Sequence, residues 1–151
     1  MRCVAPSRFS PRRLRLALSA AALAAAMPAA AGVLTWPGPP PCNGTLQDCI
    51  EGAPAGSTVE VASDGPINES LEIFGKSLTL RPAAGFTPVL QGGPFSDVID
   101  AFGADTPVVI SIEGMTVRDG SITAYQRGSG TFSVIIRDNI LEADEDRKSV
   151  V

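Results

Sequence analysis

The amino-acid sequence predicts an all-β solenoid, a stack of similar β coils, preceded by one short helix. Short stretches of alternating apolar residues run from residue 57 to residue 142, and turns rich in Gly, Pro and Asp separate them. Part of this pattern recurs with a 24-residue offset, and a segment of helical periodicity precedes the first stretch. A sandwich of antiparallel hairpins is the competing interpretation of so many short strands.

Residues 1–31 read as a signal peptide. Four arginines precede an apolar run at residues 14–26, which contains a fifth, Arg15, and Ala29-Ala30-Ala31 provides a small-residue cleavage site. The run is shorter than the roughly 20 apolar residues of a membrane-spanning helix. We therefore expect an exported chain, periplasmic or extracellular, with no membrane span after cleavage. The Ala-, Arg- and Pro-rich leader is typical of a bacterial protein.

Removing the leader changes the charge balance. Residues 32–151 contain seven basic and all 16 acidic residues, which gives a formal net charge of 7 − 16 = −9. So acidic a surface repels phosphate backbones, which excludes nucleic acid as the expected partner. The chain has no histidine, so Ser-His-Asp and Cys-His catalysis and imidazole zinc sites are excluded as well.

Residues 32–41 are rich in Pro and Gly and are predicted to be an extended arm. Cys42 and Cys49 follow, the two cysteines that remain after the leader. An even pair in an exported chain predicts a disulfide. Closing so short a loop is worth about 2 to 3 kcal/mol.

Residues 42–56 are predicted to hold a short capping helix. Thr45 and Asp48 have the spacing of a capping box. An apolar stripe at helical spacing follows, formed by Leu46, Cys49, Ile50 and Ala53. Gly52, Pro54 and Gly56 then end the helix.

Residues 57–142 are predicted to form about three and a half coils. The strand-like stretches are 58–62, 70–74, 77–81, 89–91, 98–102, 108–113, 115–118, 121–125 and 131–142, the last with a break near Asp138. Alternating apolar pairs begin at Val59, Leu78, Ile110 and Val134, at successive offsets of 19, 32 and 24 along the chain. Unequal turns between stacked strands explain such a spread.

The 24-residue offset also places Glu113 beside Arg137 on adjacent coils. Neighbouring strands lie about 4.8 Å apart, so the two side chains are expected to form a surface ion pair. An exposed pair of this kind is worth at most ~1 kcal/mol.

Residues 143–151 are predicted to be a polar tail, and no closing cap follows the last coil. Either the chain is a fragment of a longer solenoid, or a partner covers the last coil. The uncapped coil is in both cases an expected association surface, because it presents unpaired strand edges.

Four segments together resemble the opening of right-handed parallel β-helix proteins of the pectin-lyase-like superfamily. They are Cys42-Asn-Gly-Thr-Leu-Gln-Asp-Cys-Ile50, Pro54-Ala-Gly-Ser-Thr-Val-Glu-Val61, Asn68-Glu-Ser-Leu-Glu-Ile73 and Lys76-Ser-Leu-Thr-Leu-Arg81. The resemblance implies a right-handed parallel β-helix whose short N-terminal helix covers the exposed end of the coil stack.

No catalytic motif of that superfamily's enzymes is present, and we expect no catalytic, cofactor or metal site. Asp97 and Asp100 are three residues apart on a strand and should therefore point to opposite faces. Asp119 and Asp138 are expected in turns. The acidic run 142–146 offers Ca²⁺ only a weak site. Three aromatic residues could stack on sugars but fit a core role better: Trp36, Tyr125 and Phe132.

Two functional hypotheses follow. The chain is an exported, non-catalytic β-helix module that binds polysaccharide or envelope material or has a structural or adhesive role. Alternatively, it is the N-terminal segment of a polysaccharide lyase or glycoside hydrolase whose active site lies in later coils.

Overall fold

The computed structural model describes residues 30–93 and 96–142, and these form a parallel β-solenoid of about four coils. Most of the predicted signal peptide and the whole polar tail lie outside the described residues. The helix α1 spans Leu46–Gly52. The strands are β1 Val33–Trp36, β2 Ser57–Val61, β3 Pro66–Ile67, β4 Leu71–Phe74, β5 Leu78–Pro82, β6 Val89–Gln91, β7 Asp97–Phe102, β8 Val108–Glu113, β9 Thr116–Arg118, β10 Ser121–Tyr125, β11 Phe132–Arg137 and β12 Ile140–Glu142.

The strands stack in three sheets, and every pair of neighbouring strands is parallel. Sheet A has the order β1-β2-β5-β8-β11, sheet B has β12-β9-β6-β3, and sheet C has β10-β7-β4. The chain visits the sheets in turn as it passes from one coil to the next. The prediction of a solenoid is confirmed, and the antiparallel sandwich is wrong.

The predicted arm is in part a strand. Val33–Trp36 form β1 and pair with β2 from Val33↔Thr58 to Trp36↔Val61. Leu34 and Trp36 pack against the core. The prediction missed this strand because four alternating residues among Pro and Gly are too few to define a period, and the partner strand β2 follows only after the helix.

One predicted register was wrong by two positions. Val59 pairs with Leu80, an offset of 21 rather than 19, and Ser57 pairs with Leu78. Ser57 is fully buried and occupies an inward position that the apolar pattern could not reveal. The offsets from Leu78 to Ile110 and from Ile110 to Val134 are as predicted.

Helix α1 covers the first end of the stack. Its predicted capping box is present: the Thr45 hydroxyl accepts from the Asp48 amide, and the Asp48 carboxylate accepts from the Thr45 amide. The Thr45 bonds also lower the pKa of Asp48. Leu46, Cys49 and Ile50 are completely buried against the coils. The helix therefore covers the apolar core at this end of the stack and presents its own polar side to solvent.

Two ionic side chains from the turns around β4 hold the two ends of α1. The Glu69 carboxylate accepts hydrogen bonds from the amides of Leu46 and Gln47, at 3.2 and 3.0 Å. At the other end, Lys76 Nζ donates to three backbone carbonyls, those of Ile50, Glu51 and Ala53, at 2.5 to 2.8 Å. Each charge complements the helix dipole at the end it contacts.

The core is a column of inward-facing aliphatic side chains that continues from α1 through the coils. Within the described part of the chain, β10, β11 and β12 are the last strands of their sheets. Their apolar side chains are accordingly more open, with Ile136 at 51% and Leu141 at 61% exposure. None of the described residues forms a helix with the length and apolarity to cross a membrane.

Candidate ligand-binding surface

Three aromatic side chains line up on the outer face of sheet C. Phe74 pairs with Phe102, and Phe102 pairs with Tyr125, so the three lie in register on successive coils. Their ring centroids are 6.1 and 5.5 Å apart. The end rings of Phe74 and Tyr125 are 55% and 47% exposed, and Phe102 between them is 7% exposed. We call this set the aromatic ladder.

A cation of the chain itself covers the middle of the aromatic ladder. The Arg127 guanidinium carbon lies 4.3 Å from the centroid of the Phe102 ring. This is well within the distance at which a ring quadrupole attracts a cation. Arg127 thus explains in part why Phe102 is shielded while its two neighbours are open.

A polar row runs beside the aromatic ladder, two positions before each ring. Glu72 pairs with Asp100, and Asp100 pairs with Thr123. The Thr123 hydroxyl donates to the Asp100 carboxylate. We call Glu72, Asp100 and Thr123 the acidic row. Two carboxylates on directly paired strand positions repel each other unless a cation lies between them.

Asp97 and Asp100 point to the same face, contrary to the prediction. Strand β7 contains a bulge, because Ser121 pairs with Asp97 while the next residue, Ile122, pairs with Ile99. The extra residue, Val98, shifts the alternation by one. Ser121 and Thr123, two apart on β10, donate their hydroxyls to Asp97 and Asp100 respectively. A bulge cannot be recognised from residue spacing alone, and it reverses a face assignment.

A pocket of about 320 Å³ adjoins the Phe74 end of the aromatic ladder. Helix α1 and strand β4 form it, and its lining residues are Gln47, Ile50, Glu51, Glu72, Phe74 and Lys76. Lys76 turns its ammonium to the carbonyls at the end of α1, and burial lowers its pKa. The pocket therefore presents the carboxylates of Glu51 and Glu72 and the exposed ring of Phe74. The Lys76 ammonium between them is already hydrogen-bonded to the helix carbonyls.

The outer face of sheet A differs, because its charges alternate in sign. Arg81 contacts Glu60 at 2.7 Å, and Arg137 contacts Glu113 at 2.5 Å. The Ser111 hydroxyl donates to Glu113, and this bond, followed by that from Arg137, lowers the pKa of Glu113. Arg81 lowers it further through space. We call Glu60, Arg81, Glu113 and Arg137 the charge ladder. It includes the ion pair between Glu113 and Arg137 that the 24-residue offset predicted.

The remaining predicted residues have mainly structural places. Cys42 and Cys49 are joined by a disulfide, with Cα atoms 4.2 Å apart, beside α1. Asp119 and Asp138 occupy turns with positive φ, at 53° and 57°. Of the three aromatic residues considered for sugar stacking, Trp36 and Phe132 pack against the core, whereas Tyr125 belongs to the aromatic ladder.

The sequence prediction missed Phe74 and Phe102. Each is the last residue of its strand and precedes a glycine, and Tyr125 likewise ends its strand. The chain is longer between Phe74 and Phe102 than between Phe102 and Tyr125, because the turns of the two coils have unequal lengths. The aromatic ladder becomes visible in the sequence when the last residues of β4, β7 and β10 are aligned with one another, and not when the coils are aligned at a fixed 24-residue offset.

Across residues 30–93 and 96–142, no three His, Cys, Asp or Glu side chains cluster closely enough to hold a metal ion. Comparisons with protein-family models, with curated proteins and with solved structures found no match to the chain.

Proposed function

We propose that this chain is an exported, non-catalytic module that binds a polysaccharide along the outer face of sheet C. The aromatic ladder is the observation that carries the proposal. Its two end rings are exposed, they sit in register on a rigid parallel sheet, and they lie beside hydroxyls and carboxylates. Apolar faces with a few fixed polar groups are the usual composition of a small-ligand site.

Aromatic rings suit saccharides because the C–H face of a sugar ring is apolar while its rim carries hydroxyls. Phe74 and Tyr125 would contact the sugar face, and the acidic row would accept from its hydroxyls. The row also disfavours uronic-acid polymers, because their carboxylates would meet Glu72 and Asp100. Exposed aromatic side chains lose little conformational entropy on binding, so a rigid sheet is an efficient support for them.

The proposal includes export and a family relationship. Export is supported by the leader-like residues 1–31 and by the disulfide between Cys42 and Cys49, since disulfides persist in oxidising compartments. The parallel solenoid and its helical cap support a relationship to right-handed β-helix proteins of the pectin-lyase-like superfamily. Envelope polysaccharide is the partner that fits a periplasmic or extracellular location.

The test is calorimetric titration of the chain with neutral, amino and uronic-acid oligosaccharides. We expect binding to one of the first two groups, and a loss of about fivefold or more in Phe74→Ala and in Tyr125→Ala, because each removes an exposed ring. Phe86, which is 37% exposed and lies between β5 and β6, supplies the matched control Phe86→Ala. No saccharide binding, or binding indifferent to both ladder variants, would refute the proposal.

A second candidate function rests on the bulge in β7. Because Asp97 and Asp100 share the outer face with Glu72, that face carries three carboxylates, and pairs of carboxyl groups catalyse glycoside hydrolysis. This favours the alternative in which the chain is the N-terminal segment of a glycoside hydrolase or lyase. The Asp97 and Asp100 carboxylates, however, each accept a hydrogen bond from a hydroxyl on β10, and these bonds hold both side chains against the sheet.

A further inference from the structure

We propose that the pocket at the Phe74 end of the aromatic ladder binds a protonated amino group, so that the ligand is a polysaccharide of amino sugars with free amines. This inference rests on the proposed saccharide-binding function and specifies its substrate class. Four residues carry it: Phe74, Glu72, Glu51 and Arg127.

The aromatic ladder already holds one cation. Arg127 places its guanidinium 4.3 Å from the Phe102 centroid, and this side chain belongs to a later coil than the ring it covers. The contact shows the type of group that this row of rings accepts. Phe74 is the equivalent ring one coil earlier, and it is 55% exposed. A cation from a ligand would therefore stack on the Phe74 ring as the Arg127 guanidinium stacks on the Phe102 ring.

Carboxylates surround that exposed ring. Glu72 and Glu51 line the same pocket as Phe74. Within the described part of the chain, the Glu72 carboxylate accepts no hydrogen bond, and Glu51 Oε1 accepts one from Gln47 Nε2. An aromatic face with adjacent carboxylates is the combination that binds ammonium groups, because the ring quadrupole and the anions act in the same direction.

The cation that lines this pocket, Lys76, attracts Glu51 through space but makes its hydrogen bonds to the helix. Lys76 directs its ammonium to three carbonyls at the end of α1, at 2.5 to 2.8 Å. Among the described residues, the Lys76 ammonium makes no salt bridge with Glu51 or Glu72. Lys76 thus acts as a cap for the helix, and Glu72 is the carboxylate of the pocket that it leaves open to a ligand.

The charge ladder on sheet A differs, because its carboxylates are compensated within the chain. There, Glu60 and Glu113 each contact an arginine on an adjacent coil. On sheet C, Glu72 and Asp100 are directly paired, and neither takes part in a salt bridge between described residues. Uncompensated like charges cost stability, and such costs are concentrated at functional sites. A ligand amine bound at Glu72 in the pocket would offset the repulsion between Glu72 and Asp100.

An amino sugar fits better than a metal ion or an isolated amine. The described residues hold no three-ligand metal cluster, and a ring face has no affinity for a strongly hydrated divalent ion comparable to that of carboxylate oxygens. Beyond the pocket, the row continues with the hydroxyl of Thr123 and the ring of Tyr125. These groups match the hydroxyls and the apolar face of further sugar units.

The experiment compares two tetrasaccharides with one backbone, a β-linked glucosamine tetramer and its fully N-acetylated form, at a pH where the free amines are protonated. We expect the amine form to bind the exported chain about fivefold or more tightly, the effect of one cation–π contact with an adjacent charge. Glu72→Gln should remove that preference, and Phe74→Leu should reduce it while keeping an apolar side chain. Glu60→Gln, the same change on sheet A, is the control and should leave the preference intact.

The outcomes separate the inference from the function on which it rests. Equal binding of the two tetramers, or a preference that survives Glu72→Gln and Phe74→Leu in folded protein, overturns the amino-sugar inference but leaves saccharide binding standing. Binding of neither tetramer overturns the inference, and binding of no saccharide at all overturns both. Tighter binding of a lysine tetrapeptide than of the glucosamine tetramer would assign the pocket to a basic peptide and contradict the amino-sugar inference.

Discussion

The side-chain amide of Gln47 pairs with the backbone of Glu72 as a neighbouring β-strand would. Gln47 Oε1 accepts from the Glu72 amide at 2.8 Å, and Gln47 Nε2 donates to the Glu72 carbonyl at 3.1 Å. Strand β4 is the first strand of sheet C, so this edge would otherwise be unpaired. Helix α1 therefore closes both the apolar core and one sheet edge, and edge closure limits unwanted strand addition.

Replacing Gln47 with Ala should destabilise the fold by about 1 to 3 kcal/mol, because two hydrogen bonds to an edge strand are lost. The measurement is urea unfolding followed by circular dichroism. Gln126→Ala is the matched control, since that amide donates only to carbonyls of its own loop, those of Gly128 and Gly130. If Gln47→Ala were no more destabilising than Gln126→Ala, the edge-closing role of Gln47 would be wrong.

Removing the disulfide should lower the free energy of unfolding by about 2 to 3 kcal/mol, the loop entropy of so short a closed segment. The variant is Cys42→Ala with Cys49→Ala, and the two cysteines are seven residues apart. Both side chains are buried against the coils, so part of the loss will come from packing. Thiol titration of the denatured protein, produced with export to the periplasm and without residues 1–31, should find no free cysteine. Two free thiols would contradict the bridge.

Stability should also depend on pH through Glu113. The Ser111 hydroxyl and then the Arg137 guanidinium lower the pKa of this carboxyl when the chain folds. A lowered carboxyl pKa stabilises the fold above the ordinary value of about 4.3, and the stabilisation disappears as the pH falls through the lower, folded-state value. Glu113→Gln should therefore cost up to about 1 kcal/mol at neutral pH and less in acid.

A pH series of urea midpoints checks this prediction. The difference between the natural chain and Glu113→Gln should shrink on acidification, and Ser111→Ala should reproduce part of it because the Ser111 hydroxyl bond contributes most to the lowered pKa. Arg137→Gln combined with Glu113→Gln forms a double-mutant cycle for the pair. A difference that is constant down to the acid limit would exclude the proposed linkage.

Much of the fold could be predicted because each coil of a solenoid repeats the same pattern of alternating apolar residues and turn residues. Alternation at Ile110 and Val134, separated by one coil, defined strands that pair as expected. The elements that failed were those with little repetition: β1 has four residues among Pro and Gly, and β3 has two. Ser57 occupies an inward position without an apolar side chain, which displaced the predicted register by two positions.

The candidate site was harder to predict than the fold because it depends on the geometry between coils. Glu113 and Arg137 were recognisable, since one regular 24-residue offset separates them. The aromatic ladder spans coils of unequal length, and the common face of Asp97 and Asp100 depends on a bulge at Val98 that no local pattern indicated. Outward positions also lack the apolar alternation that makes inward positions visible in a sequence.

The chain itself should not cleave polysaccharides. The hydroxyls of Ser121 and Thr123 donate hydrogen bonds to the Asp97 and Asp100 carboxylates, so both side chains are held against the sheet. Incubation with polygalacturonate, alginate or an amino-sugar polymer, with and without Ca²⁺, should release no unsaturated products or reducing ends. Turnover that disappears in Asp97→Asn or Asp100→Asn would instead establish the enzyme alternative.

Mapping a bound oligosaccharide by backbone amide chemical shifts tests the central claim most directly, since it locates the ligand on one sheet. With the glucosamine tetramer, or whichever oligosaccharide binds, we expect shifts concentrated on the strands that carry the aromatic ladder, at Phe74, Phe102 and Tyr125. The charge ladder from Glu60 to Arg137 should be unaffected. Shifts concentrated on sheet A, or no saturable shifts with any saccharide, would contradict the assignment of the binding surface to sheet C.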